Sequence, residues 1–135
     1  MTTPVIIGGM HHVSLTVTDL ERSERFYKRV LGFEQVADLG AKLALHNGSF
    51  LLVVNLAPQP EQALPNDRFD ENRVGLDHIS FRVESLAALE EAASALDELG
   101  VTRGAIRDLG QGFGFYVMAF RDPDNIQLEL TALYD

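Results

Sequence analysis

With 135 residues, 46% of them hydrophobic, the chain has the size and apolar content of one ordinary globular domain. Its net charge of −9 comes without a basic stretch. Nucleic acid and anionic membrane surfaces are therefore excluded as partners, since phosphate contacts need clustered Lys and Arg. There is no cysteine, which excludes disulfides, iron–sulfur clusters and thiolate zinc sites.

Met1 to Met10 lacks a basic leader and a long apolar core, so no signal peptide is read there. No apolar run approaches the ~20 residues needed to span a bilayer, and a cytoplasmic location is expected. His12-Val13-Ser14-Leu15-Thr16-Val17 alternates polar and apolar residues, the pattern of a half-buried strand. A helix is expected from about Asp19 to Leu31: Thr18 or Asp19 can cap it, Phe26, Tyr27, Val30 and Leu31 recur at helical spacing, and Gly32 stops it. Three strands are expected next, Phe33 to Ala37, Lys42 to His46 and Phe50 to Leu56, with a hairpin turn at Asn47-Gly48.

Residues 57–75 are rich in Pro, Asn, Asp and Glu and read as a linker or a loop over the site. Arg68 and Arg73 within it could bind a substrate carboxylate, with solvated charges as the favoured reading. The alternating pattern then returns in His78-Ile79-Ser80-Phe81-Arg82-Val83. A helix from about Ser85 to Leu99 places Leu86, Leu89, Ala93, Leu96 and Leu99 on one face, with Gly100 as its stop. Its acidic residues, Glu84, Glu90, Glu91, Asp97 and Glu98, read as a solvated face. Further strands are expected at Val101 to Ile106, Phe115 to Phe120 and Ile126 to Ala132. Gly110, Gly112 and Gly114 around Phe113 read as a mobile loop, and Asp122-Pro123-Asp124-Asn125 as a turn.

Strand, helix and three strands thus occur twice, and both helices end in a Leu-Gly step. The expected fold is α+β: two βαβββ modules, about 10–56 and 76–133 around a linker at 57–75, in one domain of residues 1–135. Helices would cover the outer face of a cupped mixed sheet and leave a polar inner face.

On that inner face fall His12, His78 and Glu129, the last from Ile126-Gln127-Leu128-Glu129-Leu130. Two imidazoles and a carboxylate form a ligand set for a divalent ion with open coordination positions. Neutral imidazole and carboxylate accept Fe, Mn, Zn, Ni or Co alike. Adjacent His11 is read as pointing the other way, in a structural or solvated role. Ser14, Ser80, Gln127 and Thr131 share faces with the ligands and are candidate substrate contacts, with an ordinary polar role as the alternative. His46 is a weak acid/base candidate, with a surface role near the turn favoured. Whether Tyr116, Met118 and Phe120 or Phe115, Val117 and Ala119 line the cup stays open.

The motifs His12-Val13-Ser14-Leu15-Thr16-Val17-Thr18-Asp19-Leu20 leading to Phe26-Tyr27, then Asp77-His78-Ile79, then Asp122-Pro123-Asp124 leading to Glu129, resemble those of the vicinal oxygen chelate superfamily. Its members include glyoxalase I, extradiol dioxygenases, methylmalonyl-CoA epimerase, fosfomycin-resistance enzymes and bleomycin-binding proteins. The resemblance covers nearly the whole chain. It implies one divalent metal ion held by His12, His78 and Glu129, a small oxygenated substrate and a homodimer.

Departures narrow what it implies. Glyoxalase I and the epimerase carry a fourth ligand on the last strand of the first module, where this chain has aliphatic residues, Val53 in particular. The tyrosine of extradiol dioxygenases aligns with Ala119, their histidine falls among Gly110, Gln111 and Gly112, and Asn125 stands where glycine is usual. The basic clamp of fosfomycin transferases has no counterpart in Thr131-Ala132-Leu133-Tyr134-Asp135. The expected function is a metal-dependent enzyme of the glyoxalase or dioxygenase kind. The alternative is a bleomycin-type resistance protein that binds its ligand without turnover.

Overall fold

The computed structural model describes residues 2–135, in two compact units that meet in sequence between Pro60 and Glu61. Met1, at the head of the segment read as leaderless, lies outside the described residues. Thr2 to Met10 is irregular and exposed, including Val5, Ile6, Ile7 and Met10. Among the described residues no helix is long and apolar enough to cross a membrane.

The first unit holds β1 (Val13–Thr16), α1 (Leu20–Leu31), β2 (Glu34–Asp38), β3 (Lys42–His46) and β4 (Leu51–Asn55). Asp19 caps α1, its carboxylate accepting from the Arg22 N–H at 3.0 Å, and Gly32 ends the helix in the left-handed conformation, φ 74°. The sheet runs β1-β4-β3-β2, with β1 parallel to β4 and the other pairs antiparallel. α1 packs on β3 and β4. The residues that alternate toward it, Leu15, Leu43, Leu45, Leu52 and Val54, are buried with Tyr27 of the helix.

The second unit repeats this plan with β5 (Ile79–Val83), α2 (Leu86–Glu98), β6 (Arg107–Asp108), β7 (Phe115–Arg121) and β8 (Gln127–Leu133), in the order β5-β8-β7-β6. Again the first strand is parallel to the last. Ser85 caps α2 by accepting from the Ala88 N–H at 3.1 Å. Leu89, Ala93 and Leu96 are buried where α2 packs on β5, β7 and β8. Two four-stranded sheets, each carrying one helix, are the βαβββ modules expected.

The register also decides which alternating set of β7 faces away from the helix. Val117 is opposite Thr131, and Ala119 opposite Glu129. Phe115, Val117, Ala119 and Arg121 therefore share the face of Glu129. Met118 and Phe120 are buried on the other face with Leu128 and Leu130.

The strand expected over Val101 to Ile106 is not regular. It is reduced to a bridge between Arg103 and Phe120, followed by the two-residue β6. Gly104 weakens a strand, and its N–H bonds the Ala119 carbonyl at 2.8 Å. Arg103 instead forks onto Asp97 at 2.9 and 3.0 Å, so Asp97 is an ion-pair partner and not merely part of a solvated face. The glycine-rich stretch is a closed turn between β6 and β7. Gly110 and Gly114 adopt positive φ, and the Gly114 N–H bonds the Gly110 carbonyl at 2.8 Å. Beside it the Tyr134 hydroxyl donates to Asp108. That bond pushes the phenol up to about 12 and holds the Asp108 carboxyl below its usual range.

The turn before β8 is closed by Asp122, whose carboxylate accepts from the N–H groups of Asp124 and Ile126, both at 2.8 Å. Asn125 sits at φ 69°, a left-handed position that Asn tolerates in place of Gly. The segment before β5 is fastened to this turn. The Phe69 N–H bonds the Asp124 carbonyl at 2.9 Å, Asn125 Nδ2 donates to the Phe69 carbonyl at 3.0 Å, and Arg121 forks onto Glu71 at 2.8 Å through each nitrogen. Hydrogen bonds from the Arg121 guanidinium hold the Glu71 carboxyl at about 2.

Candidate metal centre

His78 directly precedes β5, and Glu129 sits at the middle of β8, opposite Ser80. The Glu129 side chain is only 12% exposed, and no hydrogen bond reaches it among the described residues. Its Oε1 faces His78 Nε2 at 3.6 Å, too far for a hydrogen bond. The other imidazole nitrogen is engaged: Nδ1 lies 2.7 Å from Asp77 Oδ1. A carboxylate only accepts, so Nδ1 carries the proton, and in the neutral imidazole Nε2 then presents its lone pair to Glu129. Asp77 is itself held by Gln127, whose Nε2 donates to the Asp77 carboxylate at 3.0 Å and to its carbonyl at 3.2 Å.

Two lone-pair donors thus face each other across a gap, one of them a largely buried carboxylate without a donor. Such a pair is unfavourable unless a cation or proton lies between them. A separation of 3.6 Å is about that of two ligands bonded to one ion at ~2.1 Å, so the donor set suits a divalent metal.

In the first unit His12 precedes β1, as His78 precedes β5. His11 does not point away from it. The two Nδ1 atoms are 2.8 Å apart and the rings meet edge-on, 5.0 Å between centroids. Strand alternation does not govern this pair, because β1 begins only at Val13. One Nδ1 donates and the other accepts; with His12 donating, its Nε2 is the free lone pair.

The two modules align through their registers. Ser14 is opposite Val53, and Ser80 is opposite Glu129. Each candidate histidine stands two residues before its serine. Val53 is therefore the first module's counterpart of Glu129, and His11 that of Asp77. In both modules the residue before the histidine engages its Nδ1.

The remaining candidates have ordinary partners. The Ser14 hydroxyl donates to Asn55 Oδ1 at 2.6 Å, and Asn55 Nδ2 donates to the Leu56 carbonyl at 3.1 Å and to Thr16 Oγ1 at 3.4 Å. Ser80 and Thr131 bond each other through their hydroxyls. His46 Nδ1 accepts from the Gly48 N–H at 2.8 Å, which ties this ring to the β3–β4 turn.

The structure thus brings His78 and Glu129 together. Among the described residues no group of three or more His, Asp or Glu side chains is gathered closely enough to hold a metal ion. The orienting contacts of His11 and Asp77 were missed in the sequence. Their signal was present there, since both precede a histidine at the same place in the repeat.

Two modules of one topology, each opening on a histidine with an engaged Nδ1, define a protein built of two βαβββ modules. The chain belongs to the Glyoxalase/Bleomycin resistance protein/Dioxygenase superfamily, whose profile matches residues 9–130. It is 32% identical over 129 residues to the uncharacterized protein YqjT of Bacillus subtilis, covering 91% of this chain and 98% of that one. It is 30% identical to glyoxylase I 4 of Arabidopsis thaliana, covering 94% of this chain and 72% of that protein. A glyoxylase/bleomycin resistance protein/dioxygenase domain from Frankia superimposes with a TM-score of 0.79 at 32% identity, over 96% of this chain and 95% of that one. FosX, a fosfomycin resistance protein of Listeria monocytogenes solved with Mn(II) and a sulfate ion, does so with a TM-score of 0.74. At 23% identity, over 94% of this chain and 91% of that one, its likeness is one of fold.

Proposed function

We propose that this protein is a divalent-metal-dependent enzyme acting on a small molecule with neighbouring oxygen atoms, and that His12, His78 and Glu129 hold the metal. One observation carries the reading: a nearly buried carboxylate without a hydrogen-bond donor faces the lone pair of an imidazole whose other nitrogen is engaged. The family adds support, and a protein of the same fold has been solved with Mn(II).

Bound there, a divalent ion supplies Lewis acidity toward substrate oxygens that take its open positions. Asp77, held by Gln127, fixes the tautomer of His78. His11 serves His12 in the same way. Glu129 contributes negative charge from a largely buried side chain. Val53 leaves no second carboxylate to shuttle a proton, which argues against the glyoxalase I reaction itself. Ala119, opposite Glu129, supplies no phenol. We place the enzyme in the cytoplasm on the grounds of its sequence.

The absence of acid/base side chains at these two positions favours one second reading, a ligand-binding protein without turnover. Elemental analysis separates the two. Protein purified without chelator is expected to carry about one Fe, Mn, Zn, Ni or Co per chain, and the paired substitutions His12→Ala and Glu129→Ala to abolish it. A wild-type protein that takes up no divalent ion would overturn the enzyme reading in favour of the binder.

A further inference from the structure

The sheet register of the second unit sets residues in lateral rows on the face that carries Glu129. One row runs Ser80, Glu129, Ala119. The next runs Arg82 on β5, Thr131 on β8, Val117 on β7 and Arg107 on β6. Rows on one face are ~7 Å apart along the strands.

Arg82 and Arg107 are both exposed, and neither has an ion-pair or hydrogen-bond partner among the described residues. Their neighbours differ. Arg103 is spent on Asp97, and Arg121, on the same face, is spent on Glu71. On the Glu129 face of this sheet, Arg82 and Arg107 are therefore guanidinium groups without a carboxylate. They stand at the two ends of a row three strand spacings wide, ~14 Å between Cα atoms. Both long side chains can bend inward over it. Ser80 of the Glu129 row and Thr131 of this row bond each other through their hydroxyls.

We infer that the substrate is an anion, with a carboxylate, phosphonate or phosphate group bound by Arg82 and Arg107 one row beyond the oxygens that chelate the metal. The inference rests on the proposed metal site for the placement of the chelating end alone. Guanidinium is suited to this task because its fork matches the geometry of an oxyanion.

The test compares three vicinal diols on Mn(II)-loaded protein by calorimetry: glycerol, a dihydroxybutanoate and glycerol phosphate. The anions are expected to bind at least ~10-fold tighter than glycerol, and the stronger of the two identifies the group. Arg82→Ala and Arg107→Ala should each remove most of that advantage and leave Mn(II) content unchanged; Arg82→Glu should remove all of it. Equal binding of glycerol and the anions, or unchanged anion binding by the variants, would overturn the inference. Inorganic phosphate titrated into metal-free protein by phosphorus NMR isolates this proposal from the metal reading. Should the protein take up no Mn(II), loss of phosphate binding on Arg82→Ala with Arg107→Ala supports the anion site, and equal or absent binding in wild type and variant sinks it.

Discussion

Glu129 is placed by its strand, opposite Ser80, and His78 stands one residue before β5, so that its Nε2 faces Glu129 at 3.6 Å. Asp77 then decides which nitrogen of His78 is free. An orienting carboxylate of this kind is typically worth ~10–100-fold in metal affinity. Asp77→Ala is expected to weaken Mn(II) binding by about that factor, measured by titration followed with electron paramagnetic resonance. His11→Ala should act similarly through His12, while His11→Asn, whose amide oxygen accepts a hydrogen bond, should restore most of the affinity. Unchanged affinity in His11→Ala would reduce the His11 contact to a surface contact. Val53 offers the converse experiment. It is the counterpart of Glu129, and Val53→Glu should add a carboxylate that tightens Mn(II) binding in the wild-type background but not with His12→Ala.

At the level of elements, both helices follow from local signals. Asp19 and Ser85 cap as their chemistry dictates, and the apolar faces of α1 and α2 seat on their own sheets. Leu89 of α2 is fully buried, so Leu89→Ala should cost about 2–5 kcal/mol, read as a shift in urea unfolding without loss of helix content. The segment before β5 is held differently, by backbone bonds to the β8 turn and by the Glu71–Arg121 pair. The Glu71 carboxyl is depressed from 4.5 to about 2, so its contribution is present above about 4.5 and lost as pH falls toward about 2. Hydrogen exchange over residues 61–75 should accelerate across that window, and Glu71→Gln should show the accelerated rate already at neutral pH. No pH dependence in the wild type would show that the backbone bonds alone hold the segment. The irregular run from Val101 to Ile106 was not legible from its sequence, because apolar alternation there competes with Gly104 and with the pull of Asp97 on Arg103.

For the whole molecule, the repeat is the organising fact. Each unit is a four-stranded sheet carrying one helix. We expect a homodimer in solution, with the exposed Val5, Ile6, Ile7 and Met10 among the surfaces that assembly would cover. Sedimentation equilibrium checks this, and a monomer at all concentrations would refute it.

The sequence by itself determined the βαβββ repeat, the strand faces and the candidates His12, His78 and Glu129, because hydrophobic period and capping chemistry are local properties. Only the tertiary structure decided the rest. Register set Val53 against Ser14 and Glu129 against Ser80. It chose which set of β7 shares the Glu129 face, and it aligned Arg82 with Arg107. These depend on pairing between segments distant in the chain, and a slip of one residue would reverse every face. The orienting bonds to His12 and His78 were hidden for a related reason: both histidines stand just outside their strands, where alternation no longer says which way a side chain points.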